Sequence, residues 1–268
     1  MAAFAEGVPC WVDAMLPDVE AGKRFYGDVL DWTFDEGAGA EYGYYTQAYS
    51  DGANVAALAP KSDGRMPTVW TVYLATPDAV ALAEKIRDAG GQLVREPLPV
   101  GPFGTIALAA DPGGAVFGLW QGGTHTGFEA QRRPGAYCWT ELYTRDKAAV
   151  DPFYEGVFGY AGTDLPDEDL SEAELSRAGG GDVRVWSPAG ATAGLESAIG
   201  GRVVMGESFP AAMPPHFLTY FTVADCDATA ASVTRLGGRI QQPPRTTPHG
   251  RIAVFSDNQG ATFAVLQD

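Results

Sequence analysis

The sequence predicts an α+β protein made of two homologous halves, each an antiparallel-rich mixed sheet with helices on one face. Three observations lead there. "DPGGAVFGLWQ" at Asp111–Gln121 returns as "DNQGATFAVLQ" at Asp257–Gln267, with five of eleven positions identical. "CWVDAMLPDVEAGKRFYGDVLDW" from Cys10 returns 128 residues later as "CWTELYTRDKAAVDPFYEGVFGY" from Cys138. Between these copies, segments of strand period alternate with segments of helical period.

The first strand of each half is Trp11-Val12-Asp13-Ala14-Met15-Leu16 and its copy around Trp139. Alternation places Trp11, Asp13 and Met15 on one face, and Trp139, Glu141 and Tyr143 on the matching face. A helix follows each such strand. Asp18, Asp78, Asp146 and Asp225 stand where a side chain accepts from the free N–H groups of a first helical turn. "LPDVEAGKRFYGDVL" also resembles "TPDAVALAEKIRDAGG" 60 residues on, so each half is itself a repeat. Gly-bounded strands come next: "EYGYYTQAYS", "NVAALAP", "GQLVREP", "GTIALAAD" and "AVFGLWQ". "VWTVYLATPDAVALAEKIRDAGG" from Val69 aligns with "HFLTYFTVADCDATAASVTRLGG" from His216 at an offset of 147, the increase marking an insertion near "DLPDEDLSEAELSRAGGGD". The acidic part of that insertion reads as a solvated helix or loop. The domains are expected at 8–122 and 134–268, with the Gly-rich 123–133 as linker.

Composition limits the function. A net charge of −16 on 268 residues disfavours phosphate backbones and anionic membrane surfaces. Three cysteines without a CxxC pair signal neither a disulfide framework nor a zinc site. The N-terminal segment lacks the pattern of a signal peptide, and no apolar run nears the ~20 residues of a membrane span. A cytoplasmic protein is expected. No P-loop, GxGxxG after a strand, nucleophile elbow or HExxH occurs.

"PDVEAGKRFYGDVLDW", "DAVALAEKIRDAGGQLVREP", "DPGGAVFGLWQ" and their copies resemble the vicinal oxygen chelate superfamily: glyoxalase I, extradiol dioxygenases, and bleomycin- and fosfomycin-resistance proteins. The resemblance is to a tandem, glyoxalase-like type found in actinobacteria. It implies four βαβββ units, paired into cupped sheets whose concave faces hold the ligand. It also implies where metal-dependent members keep their ligands. At those places this chain has Trp11 and Trp139 in the first strands, and Gly118 and Ala264 in the last. The remaining position holds Thr71 and Leu218, or Val69 and His216 in a register shifted by two. Trp, Gly, Ala and Leu offer no side-chain ligand, so no metal and no cofactor is expected at the usual place.

Two readings follow. In the first, the chain sequesters an aromatic or polycyclic small molecule, using Trp11, Tyr73, Trp120, Trp139, Tyr143 and Tyr220 at cup-facing parity, with Asp13 and Glu141 as polar contacts. In the second, it is a glyoxalase-like lyase or oxygenase with displaced metal ligands or metal-free acid–base chemistry at Asp13, Glu141 or His216. Against both stands a structural role: the carboxylates as acceptors of neighbouring hydroxyls, His216 as a strand-end residue, the aromatics as core. Phe25, Tyr26, Trp32, Phe153 and Tyr154 read as core. His125 reads as solvated linker, and His249 as part of a loop at the rim. "EPLPVGPFGT" and "QPPRTTPHGR" read as rim loops or tight connections between strands. Four units in one chain imply a monomer with an internal pseudo-dimer, or a weak homodimer.

Overall fold

An aspartate opens each of the four α-helices seen among the described residues, as the sequence predicts. The structure is a computed structural model that describes residues 4–166 and 182–268. The acidic stretch expected to be a solvated helix or loop lies, from Asp167 onward, outside the described residues. Asp18 accepts from the amide of Ala21 ahead of α1 (Val19–Leu30). Asp78 accepts from those of Val80 and Ala81 ahead of α2 (Ala79–Asp88). Asp146 accepts from Ala149 ahead of α3 (Lys147–Phe158). Asp225 accepts from Asp227 and Ala228 ahead of α4 (Cys226–Arg235). Each bond satisfies a donor that the helix leaves open, at about 1 kcal/mol per cap.

The first half contributes β1 (Pro9–Leu16), β2 (Thr33–Phe34), β3 (Thr46–Ser50), β4 (Ala53–Pro60), β5 (Trp70–Ala75), β6 (Gln92–Val100), β7 (Gly104–Ala110) and β8 (Val116–Gly122). The second contributes β9 (Tyr137–Thr144), β10 (Ala161–Leu165), β11 (Val183–Ser187), β12 (Gly200–Val204), β13 (His216–Thr222), β14 (Arg239–Thr247), β15 (Gly250–Ser256) and β16 (Thr262–Gln267). Each half forms one eight-stranded mixed sheet, and the two orders match: β2-β3-β4-β1-β5-β8-β7-β6 and β10-β11-β12-β9-β13-β16-β15-β14. β1 runs parallel to β4, and β5 to β8.

Two details differ from the sequence reading. "EYGYYTQAYS" begins with a 3-10 turn at Ala40–Tyr42, and its strand starts only at Thr46. The two Pro-rich segments are largely strand, lying in the edge strands β6 and β14 and their hairpins with β7 and β15. Both hairpins contain register shifts, at Leu93/Arg95 and Arg95/Leu98 in one and at Ile240/Gln242 and Gln242/Arg245 in the other. An edge strand with bulges tolerates proline, because its outward N–H groups need no partner.

The chain forms two compact units, and each is discontinuous in sequence. One comprises Met1–Cys10, Val72–Gly127 and Thr140–Phe217; the other comprises Trp11–Thr71, Phe128–Trp139 and Leu218–Asp268. In the first unit α2 packs against α3, and in the second α1 packs against α4. The repeated Asp-Gly turns take part in both. Asp257 accepts from the amides of Gln259 and Ala261 through Oδ1, and from the Tyr26 hydroxyl through Oδ2 at 2.9 Å. Asp111 does the same with the amide of Ala115 and the hydroxyl of Tyr154, at 3.1 Å to the latter. Burial pushes both carboxyls above the usual carboxylate value, and the amide bonds oppose that shift.

Around Tyr26 the second unit gathers Trp32, stacked on it, and Trp70, Phe25, Phe263 and Phe221, packed edge-on, all buried. Around Tyr154 the first unit gathers Phe117, Phe158, Tyr160, Trp186 and Phe217. Full burial of such a side chain contributes about 1.5–3 kcal/mol, so these clusters form the main apolar cores.

Candidate functional site

The helices fix which face of each strand lies away from them. In α1, a Cβ on Gly22 would meet the Leu16 side chain at 2.3 Å, so Leu16 and its alternation partners Val12 and Ala14 underlie the helix. Trp11, Asp13 and Met15 therefore lie on the opposite face. Phe217 packs on Phe117 and Tyr154 among the helices, so His216 and Leu218 point the other way. Phe221 and Phe263 pack with Trp32 and Tyr26, which puts Tyr220 and Ala264 on that same outer face.

In the second unit, Trp11 and Asp13 meet through a residue the sequence reading did not single out. The Trp11 Nε1–H donates to the Tyr45 hydroxyl at 2.8 Å, and that hydroxyl donates to Asp13 Oδ2 at 2.9 Å. The chain of donors ends on a carboxylate that is only 2% exposed. Bonds aligned this way polarise one another. Phe128, a linker residue, lies against Trp11 with ring centroids 5.6 Å apart, and stacks on Tyr137 at 4.9 Å.

In the first unit, Glu141, Tyr143 and His216 come together. The Tyr143 hydroxyl donates to Glu141 Oε2 at 2.8 Å. The rings of Tyr143 and His216 stack at 5.2 Å with 9° between their planes, and Phe209 tilts onto Tyr143 at 5.6 Å. His216 Nδ1 is 2.9 Å from the carbonyl oxygen of Pro214. Burial pulls the His216 pKa below its ordinary value, which this bond opposes. Both halves thus hold a carboxylate against a phenol by different routes. In one the phenol comes from Tyr45, just before β3; in the other it comes from two residues along the same strand.

Tyr73 and Gly118 face each other across β5 and β8 in the first unit. A Cβ on Gly118 would lie 2.0 Å from Cδ1 of the Tyr73 ring. The ring occupies the space that a larger residue at 118 would need. Tyr220 and Ala264 are the matching pair across β13 and β16, with Tyr220 buried. Trp139 is half-buried on the same face of β9 as Glu141 and Tyr143.

Trp120 donates its Nε1–H to the carbonyl oxygen of His125 at 2.9 Å, and the two rings lie 5.6 Å apart. His125 is therefore half-buried against Trp120, not the solvated residue expected from its place in the linker. Beside it lies a cavity of about 290 Å³ lined by Phe4, Ala75, Thr76, Trp120, Gly123 and Thr126. The sequence singled out Trp120 among its walls but not the cavity, because the other walls come from the N-terminal segment, strand ends and the linker. His249 is exposed, in the turn between β14 and β15.

The Glyoxalase/Bleomycin resistance protein/Dioxygenase superfamily model matches residues 11–119 and again 137–265, and the chain belongs to that superfamily. Among its relatives is the anthracycline biosynthesis protein DauV of Streptomyces sp. (strain C5), 36% identical across 100% of this chain and 95% of that protein. Another is the putative glyoxylase CFP32 of Mycobacterium tuberculosis (strain CDC 1551 / Oshkosh), 34% identical across 98% and 96%. The fold resembles that of the 2,3-dioxygenase LapB from Pseudomonas sp. KL28, with a TM-score of 0.65 at 14% identity, covering 99% and 94% of the two chains. It also resembles the Mn(II)-bound glyoxalase from Novosphingobium aromaticivorans, with a TM-score of 0.63 at 16% identity, covering 98% and 83%.

Two of the superfamily's three metal positions are without a ligating side chain in both halves, and the third offers an imidazole only as His216 in the shifted register. Trp11, Trp139, Gly118 and Ala264 carry no ligating side-chain atom, and the Tyr73 ring fills the space a carboxylate at 118 would take. Among the described residues no three His, Cys, Asp or Glu side chains cluster to hold an ion. No helix among them is long and apolar enough to cross a membrane.

Proposed function

We propose that this chain is a small-molecule-binding member of its superfamily that takes a flat aromatic or polycyclic ligand without a metal. The observation that carries this reading is the Tyr73 ring over Gly118, where metal-dependent relatives are expected to place a carboxylate. That ring is only 2% exposed, so it closes the metal position, and stacking on a flat ring system falls to the half-buried Trp139 on the same kind of face. The hydrogen-bonded carboxylates of Asp13 and Glu141 supply a few fixed polar points, the usual make-up of a ligand site. The relative DauV is named for anthracycline biosynthesis, and an anthracycline is a planar polycyclic aromatic. With a net charge of −16, the chain favours neutral or cationic ligands over polyanions. We place it in the cytoplasm, as a monomer with an internal pseudo-dimer or a weak homodimer, its domains 8–122 and 134–268 joined by 123–133, with neither nucleic acid nor membrane as partner.

The test has two parts. Native mass spectrometry of protein purified without chelators should show an organic adduct and no stoichiometric divalent ion. Calorimetric titration with a dihydroxyanthraquinone should show saturable binding to apo protein that EDTA leaves unchanged. A retained stoichiometric ion would overturn the metal-free reading.

One feature favours a second reading, metal-free acid–base chemistry: burial lowers the pKa of His216 and so favours its neutral imidazole beside Tyr143. That reading requires the recovered ligand to differ in mass from the ligand supplied.

A further inference from the structure

We propose that His216 selects ligands carrying a free phenolic or enolic hydroxyl, accepting that group's hydrogen bond at Nε2. The proposal rests on the reading that the chain binds a flat aromatic ligand. It begins with the tautomer. Nδ1 of His216 lies 2.9 Å from the Pro214 carbonyl oxygen, and a carbonyl oxygen only accepts. Nδ1 therefore carries the ring proton. Burial lowers the ring's pKa and so favours its neutral form, in which Nε2 bears a lone pair and no hydrogen.

The ring is held firmly in this state. One of its faces lies on Tyr143 at 9°. Tyr143 is fixed in turn by its bond to Glu141 and by contact with Phe209. The segment that carries Phe209 is itself pinned, because Arg145 donates to the carbonyl oxygens of Met205 and Pro210. The result is an oriented acceptor on the face that also carries Glu141 and Tyr143. A preorganised acceptor of this kind loses little entropy on binding and rejects a ligand that offers it no donor. An ether oxygen at the same ring position cannot donate and brings an extra methyl group. His216 is in this sense a specificity-determining residue, distinct from the aromatic surfaces that supply bulk affinity.

The experiment titrates a dihydroxyanthraquinone and its dimethoxy counterpart, by calorimetry, into the wild-type chain and the variants His216→Phe and His216→Gln. Phe keeps a flat ring against Tyr143 and removes the acceptor; Gln retains an acceptor oxygen. The wild type should favour the dihydroxy compound by about tenfold or more, the scale of one oriented hydrogen bond. His216→Phe should bind both compounds equally, and His216→Gln should recover part of the preference. Independently of any variant, the Nε2 resonance of His216 in a ¹⁵N spectrum should move on adding the dihydroxy compound and stay in place with the dimethoxy one. Equal binding of both compounds by the wild type, or a preference that survives in His216→Phe, overturns the selection and leaves the aromatic-binding reading standing. Failure of both compounds to bind the wild type overturns both.

Discussion

Tyr26 and Asp257 are 231 residues apart in sequence and 2.9 Å apart in space, phenol donating to carboxylate in a buried site. Tyr154 and Asp111 repeat the arrangement in the other unit. The two differ in one respect: the Tyr26 oxygen also accepts from Trp70 Nε1 at 2.9 Å. Tyr26→Phe therefore leaves both a carboxylate oxygen and an indole N–H short of a partner, whereas Tyr154→Phe affects the carboxylate. At about 1–3 kcal/mol for each buried group left unpaired, Tyr26→Phe should cost about 1–3 kcal/mol more than Tyr154→Phe. Urea unfolding of the two variants checks this, and equal losses would rule it out.

Stability should fall in alkali. Burial raises the pKa of Tyr26, Tyr154 and Tyr160 above the ordinary phenol value. Burial likewise pushes the Cys138 thiol up to about 12. In each case the folded state keeps a proton that the unfolded chain releases. The stabilisation is complete below the unfolded pKa, ~8.5 for a thiol and ~10 for a phenol, and is lost as the pH rises above it, at up to about 1.4 kcal/mol per group per pH unit. Thermal melts from pH 8 to pH 11, as rough bounds set by those reference values, should show a Tm that declines ever more steeply; a flat profile would contradict the assignment.

Gly118 and Tyr73 should behave as one unit. Gly118→Ala forces the Tyr73 ring aside and should cost about 1–3 kcal/mol through overpacking. In the background of Tyr73→Ala the same change should cost far less, because the obstructing ring is gone. A double-mutant cycle measures that coupling directly. Gly118→Glu alone should not create an ion site, which equilibrium dialysis against Mn²⁺ would show.

Tyr45→Phe removes one hydroxyl that both accepts from Trp11 and donates to Asp13. If this trio contacts the ligand, dihydroxyanthraquinone affinity should drop by about tenfold, the scale of one such bond. A fall in Tm with unchanged affinity would instead give the trio a purely structural role.

Much of this architecture was readable from local chemistry. Asp18, Asp78, Asp146 and Asp225 cap helices because capping depends on a residue and the three that follow it. Strand alternation sorted Trp11 from Val12, since the pleat has period two. What stayed hidden depends on contacts between distant segments. Tyr45 looked like one aromatic among several in a Gly-bounded strand, and only the pairing of β3 with β4, and of β4 with β1, carries it toward Asp13. Phe128 sat in a stretch read as linker. The aspartates of the repeated turns were visible, but nothing local joined Asp257 to Tyr26. Internal homology marks which segments are alike; it says nothing about which of them touch.

The discontinuous make-up of the second unit also governs how the protein must be built. Residues 11–71 leave the ribosome well before their partners from Leu218 onward. At ~5–20 residues per second the early segment waits on the order of 10–30 s. Throughout that interval Phe25, Tyr26 and Trp32 lack Phe221 and Phe263, the rings that later enclose them. A nascent chain stalled before residue 218 should therefore present a sticky helix to chaperones and proteases. The codons from 218 onward complete a core that codons 11–71 begin.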